Sequence, residues 1–168
     1  MDNRVRILGI DPGVRLCGYA CIQVEGEKRR LIEAGVFRTE DTDPIEKRLD
    51  SIARDTRELL DKFRPEIVAV EDLYSHYAHP RTAILMGHAR GVILQTVAEA
   101  GIRIKSFSAT RIKNSITGSG RASKQQVQKT IRSLLALEEL PKPADVADAI
   151  AVALCCADHK EPVVQKKK

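Results

Sequence analysis

Four carboxylates lie directly after or within apolar stretches of the sequence, where charged residues are not expected. Asp11 follows the apolar run RILGI, and Glu71 follows IVAV. Asp145 and Asp148 lie three residues apart in PKPADVADAIAVAL (141–154), a stretch that predicts a mostly apolar helix. Residues at this spacing share one face of a helix. Two like charges on a helix that is apolar enough to be buried are unfavourable unless something offsets them.

A hard divalent cation would resolve this conflict. Ligands gather at the carboxyl ends of neighbouring strands, so a last helix lying across the sheet would bring all four acids together. Four converging carboxylates cannot all stay ionised unaided. Mg²⁺ binds carboxylate oxygens, keeps several waters and shares its other positions with phosphate. Two such ions about 4 Å apart can activate a water and stabilise the leaving oxygen of a phosphodiester.

Three of these acids also have an ordinary structural explanation. Asp11 precedes Pro-Gly and could be a turn residue. Asp145 and Asp148 could be acids that the dipole favours at the start of a helix. The coincidence of all four acids with a separate basic segment favours the metal-site interpretation.

A basic segment lies between Glu99 and Glu138, which enclose no acidic residue. The whole chain has a net charge of +5, and outside this segment 20 basic residues stand against 23 acidic ones. Such segregation predicts a binding surface for a polyanion, although a solvated basic face would give the same pattern. The segment contains Arg103, Lys105, Arg111, Lys113, Arg121, Lys124, Lys129 and Arg132.

Apolar patterning divides the chain into strands and helices. Strands are predicted at 4–11, 17–25, 30–38, 66–72 and 102–109, the first three joined closely enough for an antiparallel meander. Helices are predicted at 44–63, 81–101, 108–118, 123–137 and 141–154, with Ser108 and Ser123 as N-caps. This order predicts an α/β fold in which helices flank a five-stranded mixed sheet. We expect one domain over residues 1–158 and a disordered basic tail at 159–168.

The second long helix carries a stripe of small residues. Ala83, Gly87 and Gly91 recur at intervals of four, and each glycine inside a helix costs roughly 1 kcal/mol relative to alanine. Small residues let another backbone approach closely. Two explanations stay open, which are packing against the sheet and a symmetric helix–helix contact between two copies of the chain.

Composition narrows the class of protein. The 168 residues are 43% hydrophobic and 30% charged, which is enough apolar material for the core of one ordinary domain. No apolar run is long enough to cross a bilayer, and the charged start MDNRVRILGID is unlike a signal peptide. We therefore expect a soluble cytoplasmic protein without a membrane partner. Cys17, Cys21, Cys155 and Cys156 predict buried thiols in a reducing compartment rather than a disulfide or a zinc site.

Five segments of the chain together resemble the RuvC family of Holliday-junction resolvases. In chain order they are ILGIDPGVRLCGYA, IVAVEDLY, ARGVILQ, ATRIKNSITGSGRASKQQVQ and ADVADAIAVAL. The resemblance spans about residues 4–158. GIDPG alone is also similar to the phosphate-binding start of sugar kinases and actin-like ATPases, so the order and spacing of the segments carry the resemblance.

The resemblance implies a ribonuclease H-like fold and a homodimer that cuts four-way DNA junctions. It implies paired nicks in strands of like polarity, with 5′-phosphate and 3′-hydroxyl ends. Asp11, Glu71, Asp145 and Asp148 match the family's catalytic acids, which are expected to hold two Mg²⁺ ions per active site, with Mn²⁺ as a substitute. Some members carry a histidine at the position of Asp145. The RuvA-RuvB branch-migration complex is the implied partner.

Residues that contact DNA or a second subunit are also implied. Tyr74 falls where many members place a phenylalanine that stacks on an unpaired base, and tyrosine keeps the ring. Lys113 and Lys124 match basic positions near the scissile phosphate. The helix with the small-residue stripe matches the family's dimer helix. Expected DNA-binding residues are Tyr74, Arg81, Arg111, Lys113, Arg121 and Lys124, and cleavage preference is expected from Tyr74, His76, His79 and Arg81.

Three other functions compete with this interpretation. A ribonuclease H-like nuclease acting on structured RNA would use the same acids, although such relatives are usually shorter. A non-catalytic junction-binding module would not need the acids. A small-molecule kinase of the actin-like type needs two lobes, for which 168 residues are too few.

Overall fold

One five-stranded sheet lies between two layers of helices in the computed structural model, which describes residues 4–73 and 79–159. The strands are β1 (Arg4–Asp11), β2 (Leu16–Glu25), β3 (Lys28–Arg38), β4 (Ile67–Glu71) and β5 (Arg103–Phe107). The helices are α1 (Ile45–Phe63), α2 (Pro80–Glu99), α3 (Ala109–Thr117), α4 (Lys124–Leu134) and α5 (Ala144–Asp158).

The sheet is mixed and has the strand order β3-β2-β1-β4-β5. β1, β2 and β3 form an antiparallel meander because short turns join them. α1 connects β3 to β4, which lies parallel to β1. α2 connects β4 to β5, which lies parallel to β4. The register pairs Ile10 of β1 with Val70 of β4. Asp11 and Glu71, one residue further along, are therefore neighbours at the carboxyl ends of two parallel strands.

Strand alternation decides which layer each acid faces. In β1, Leu8 and Ile10 pack in the cluster formed with α1 and α2, whereas Ile7 packs in the cluster formed with α3, α4 and α5. β4 alternates in the same way. Because successive side chains of a strand point to opposite faces, Asp11 and Glu71 project toward the α5 layer.

Helix α5 forms the centre of that layer, and ten of its 15 residues are buried. Its close approach to the sheet requires two glycines. A Cβ on Gly9 would lie 2.2 Å from the carbonyl oxygen of Ala149, and a Cβ on Gly18 would lie 2.0 Å from that of Asp145. The first turns of α5 therefore rest directly on β1 and β2, beside Asp11.

The predicted elements are confirmed, and the main differences lie at helix ends. α4 stops at Leu134 because the chain then turns through Ala136, which has a φ of 50°. α5 runs four residues past its predicted end because Cys155 and Cys156 continue its buried face. Ser108 and Ser123 cap α3 and α4 as expected, the latter in a capping box.

Sheet packing does not account for the whole stripe of small residues on α2. The buried residues of this helix are Ala89, Ile93, Thr96 and Val97. Among the described residues, a Cβ on Gly91 would meet no atom within 4 Å, and one on Gly87 would touch only a methyl group of Leu73, at 3.8 Å. On the same helix, Ile84 is 61% exposed. This face of α2 is thus open to a further contact.

The cysteines are free and buried, which confirms the expectation of buried thiols. None of the described helices combines the length and apolar character needed to span a bilayer. The division into a domain at 1–158 and a disordered tail stays a prediction, and residues 160–168 lie outside the described part of the chain.

Candidate active site

The four predicted acids line one cleft at the carboxyl ends of β1 and β4. The cleft has a volume of about 340 Å³ and opens between the sheet, the start of α2 and the start of α5. The remaining lining residues are Pro12, Gly13, Leu16, Asp72, Leu73, Met86 and Lys124. The convergence inferred from the sequence is therefore present in the fold.

Each acid is placed by a different constraint. Asp11 is the last residue of β1 and Glu71 the last of β4. Asp145 and Asp148 lie in the first turns of α5. Gly18, against which the backbone of Asp145 packs, is also the cross-strand partner of Asp11. The two acids of α5 and the two acids at the strand ends therefore lie over the same position of the sheet.

Burial and mutual repulsion make these carboxyls hard to ionise. Desolvation raises the pKa of Asp11 from 3.8 to about 8, with smaller contributions from the charges of Asp148, Glu71 and Asp145. Burial also raises the pKa of Glu71, and the charge of Asp148 adds to this effect. The pKa of Asp148 is raised mainly by burial. The cleft therefore carries an electrostatic cost that a cation would relieve.

Two lysines offset part of this cost. The Lys124 ammonium lies 3.5 Å from a carboxylate oxygen of Asp148 and lowers the pKa values of Asp11, Glu71 and Asp148 against the larger effect of burial. Lys113 acts in the same direction on Glu71 and Asp148. Both lysines line an adjoining cavity of about 170 Å³ that shares Glu71 and Asp148 with the acid cleft.

The acids fit a hard divalent cation in donor type and in charge. Carboxylate oxygens are the ligands that Mg²⁺ and Mn²⁺ prefer, and four acids exceed the charge of the two nearby lysines. In residues 4–73 and 79–159, no three acidic, histidine or cysteine side chains are grouped closely enough to hold an ion as placed. The fit thus rests on chemistry and electrostatics rather than on a preformed coordination shell.

The other basic residues expected at DNA lie outside the cleft. Arg121 is exposed in the turn that leads into α4. Arg111, on α3, contacts the opposite end of α5, where its guanidinium lies 2.9 Å from the His159 ring nitrogens and 5.6 Å from the centre of the Phe107 ring. The structure therefore places Lys113 and Lys124 with the acids, and Arg111 and Arg121 further away.

The segment expected to set cleavage preference leads into α2. Tyr74 and His76 lie outside the described residues. His79 immediately precedes α2, and Arg81 is exposed in its first turn. The cleft residues Leu73 and Met86 lie on either side of this segment in the sequence.

Several residues of the site were not singled out from the sequence. Asp72 and Met86 line the cleft, and Arg90 reaches the end of β4 from α2. Arg90 did leave a signal, because it interrupts the apolar run AILMGHARGVILQ much as the acids interrupt theirs. Gly9 and Gly18 had no such signal, since their role depends on which helix lies above them.

The sheet order, the helix packed across the strand ends and the acid cleft together define a nuclease of the ribonuclease H-like class. The sequence profile of the family described as crossover junction endodeoxyribonuclease RuvC matches residues 7–156. The chain belongs to the RuvC family of crossover junction endodeoxyribonucleases.

Individual relatives support the same assignment. The chain is 47% identical over 149 residues to the crossover junction endodeoxyribonuclease RuvC of Rhodopirellula baltica, covering 89% of this chain and 84% of that protein. It is also similar to Thermus thermophilus RuvC in complex with Holliday junction substrate, with a TM-score of 0.85 and 35% identity over 90% of this chain and 92% of that one. The yeast mitochondrial Holliday junction resolvase Ydc2, at 18% identity, shares the fold, with a TM-score of 0.63 over 91% of this chain and 78% of that one.

Replacing Asp11 by Asn should stabilise the metal-free protein, and more so at high pH. The pKa of Asp11 is raised to about 8 in the folded state, so the native protein binds this proton more tightly than the unfolded chain does. Stability is therefore lost as the pH rises from about 4 to about 8, and the amide removes that loss. We expect the melting temperature in EDTA to rise on the order of 5 °C at about pH 8.

The gain should be clearly smaller near pH 5, which differential scanning calorimetry at both pH values would show. Asp50→Asn is the matched control, because Asp50 pairs with Arg54 at an exposed position of α1. An equal gain for Asp11→Asn at both pH values would contradict the raised pKa.

Proposed function

We propose that this chain is a metal-dependent, structure-selective endonuclease that resolves four-way DNA junctions by paired symmetric nicks. The observation that carries the proposal is the convergence of four acids in one cleft beside Lys124. Membership of a family of crossover junction endodeoxyribonucleases supports the same reaction. The similar Thermus thermophilus protein, solved with a Holliday junction substrate, supports the same kind of DNA.

Asp11, Glu71, Asp145 and Asp148 are the residues that would hold the metal, which we propose to be two Mg²⁺ ions, replaceable by Mn²⁺. When bound, such ions supply Lewis acidity and lower the pKa of a coordinated water. Asp11 interacts with the charges of all three other acids. This central position supports a role for Asp11 in holding the metal when it is bound.

Lys113 and Lys124 would act on the phosphate. Both line the cavity that adjoins the acids, whose apolar floor includes Ile112 and Val127. An ammonium that lies close to a phosphate stabilises the negative charge that develops on it. We therefore assign the scissile phosphate to the boundary between this cavity and the acid cleft.

The basic segment would bind the junction arms through their phosphates, chiefly with its residues on α3 and α4 and in the turn between them. Lys113 lies on α3 and Lys124 begins α4, so the segment adjoins the cleft. Phosphate contacts of this kind give affinity without sequence preference, and binding should weaken steeply with salt. Arg81, Arg111, Arg121 and the ring of Tyr74 are the further DNA contacts that we propose.

A homodimer would present two active sites to one junction and so make two cuts in it. A four-way junction has two-fold symmetry, so two copies related by a two-fold axis can place one active site at each of two strands. The open face of α2 with Gly87 and Gly91 is where we propose that the second copy packs. Partnership with the RuvA-RuvB branch-migration complex stays a prediction that rests on family membership.

We also propose a role in homologous recombination and DNA repair in the cytoplasm. Junction resolution is the step that these processes need once two duplexes have exchanged strands. The four buried free thiols support a reducing compartment.

Incubation with a synthetic mobile four-way junction, with and without Mg²⁺, tests the function as a whole. Mapping the nicks on each strand should show symmetric pairs that appear only with the metal. Cleavage of structured RNA with no cleavage of the junction would favour the RNA nuclease instead, and binding without cleavage would favour a non-catalytic module.

Replacing Asp148 by Asn should abolish cleavage and leave junction binding intact. The amide keeps the size of the side chain but removes a charge from the metal-binding set, so we expect the single-turnover rate in Mg²⁺ to fall by more than about 100-fold. Binding, measured in Ca²⁺ by gel shift, should stay within about twofold because phosphate contacts dominate it.

Asp158→Asn is the matched control at the far end of the same helix. Asp158 pairs with Arg29 at 3.3 Å and is half exposed, so this variant should cut like the unaltered protein. Turnover of Asp148→Asn in Mg²⁺ at a rate near that of the control would refute the assignment.

Replacing Gly91 by Leu should weaken the homodimer by about tenfold or more, because a large side chain would stop two helices from approaching closely. Sedimentation velocity over a range of concentrations would measure the dimer affinity. Ala100→Leu, an equally bulky change at the exposed residue that follows α2, about half a turn around the helix axis from Gly91, should leave it unchanged. A dimer affinity that Gly91→Leu does not alter would place the interface elsewhere.

A further inference from the structure

One basic side chain behind the acid cleft has no part in the function proposed above. Arg90 reaches from α2 to the carboxyl end of β4. Its Nε donates to the backbone carbonyl of Glu71 at 3.1 Å, and one Nη donates to the Asp72 carboxylate at 3.0 Å and to the Ser106 hydroxyl at 2.9 Å. The side chain is only 19% exposed. These three acceptors hold Arg90 at the junction of β4, β5 and α2.

The first consequence concerns the backbone that carries Glu71. β4 ends at Glu71, and the ladder to β5 continues by one bond, from the Asp72 amide to the Phe107 carbonyl at 2.9 Å. The Arg90 guanidinium is planar and binds several acceptors in a fixed geometry, unlike a lysine ammonium. It thus ties the Glu71 peptide to α2, and displacement of this peptide would displace the Glu71 carboxylate with it.

The second consequence concerns a fifth acid. Asp72 lines the same cleft as the four proposed ligands. The ion pair with Arg90 offsets part of its charge and holds it beside α2 and β5. Loss of the guanidinium would leave a free carboxylate at the edge of a site that already carries excess negative charge.

We propose that Arg90 is a positioning residue of the acid cleft, which fixes the Glu71 end of β4 and keeps Asp72 out of the cation-binding set. The proposal rests on the metal-dependent cleavage proposed above. It assigns Arg90 no contact with the reacting atoms, since three protein acceptors engage its guanidinium. Arg90 thereby determines which of the five carboxylates can serve as ligands.

Two effects of opposite sign follow for Arg90→Gln. The freed Asp72 adds a carboxylate to the cleft, and more ligand charge tightens cation binding, so Mn²⁺ should bind about threefold more tightly or better to the DNA-free protein. Cleavage of the four-way junction should nevertheless slow by about tenfold or more at saturating Mg²⁺, because Glu71 is displaced. Electron paramagnetic resonance of free Mn²⁺ and single-turnover cleavage measure the two effects.

Two further variants separate the two contacts. Arg90→Lys keeps a positive charge beside Asp72 but cannot reach all three acceptors, so Mn²⁺ affinity should stay near that of the unaltered protein while cleavage still slows. Asp72→Asn combined with Arg90→Gln should reverse the tighter Mn²⁺ binding. Arg54→Gln, which breaks an exposed ion pair on α1, is the control and should change neither quantity.

An Arg90→Gln protein with unchanged Mn²⁺ affinity and cleavage would overturn the proposal. So would a loss of both together with a large fall in melting temperature, because that pattern indicates a purely structural role. If the unaltered protein itself does not cleave the junction, the proposed function fails, while the Mn²⁺ measurements still decide the role of Arg90.

Discussion

The close approach of α5 to the sheet is the constraint on which the rest of the structure depends. Gly9 and Gly18 have no side chain to keep the helix away, and the backbone of α5 occupies the space that a Cβ would take. Strand alternation sends Asp11 and Glu71 to the same layer. A helix held even a few ångströms higher would leave Asp145 and Asp148 too far from the strand ends to share a cleft with them.

This approach concentrates charge that the fold must tolerate. The buried apolar residues of α5, from Ala149 to Cys156, anchor the helix and hold its two carboxylates where repulsion would otherwise separate them. Lys124 lowers the pKa of Asp11, but burial and the charges of the other three acids still raise it to about 8. A site of this kind sacrifices stability in the metal-free protein for the ability to bind a cation, a common compromise in active sites.

The elements and the four acids were predictable because each depends on local pattern. Apolar periodicity locates strands and helices, and an acid that ends an apolar run is visible in the sequence itself. The role of Gly18 could not be predicted in this way, because it depends on the helix that lies above it. Arg90 and Asp72 needed the register of β4 and β5 together with the position of α2. The packed structure was also needed to show that Gly91 is exposed, and therefore that packing against the sheet does not explain this glycine.

The claim that the cleft is an unrelieved cluster of carboxylates until a cation binds is tested most directly by thermal unfolding. The measurement is the melting temperature of the DNA-free protein at neutral pH as Mg²⁺ is added, beside an Asp145→Asn, Asp148→Asn double variant. Mg²⁺ should raise the melting temperature of the unaltered protein and have little effect on the double variant. No shift of the unaltered protein at saturating Mg²⁺, or an equal shift in both proteins, would contradict the claim.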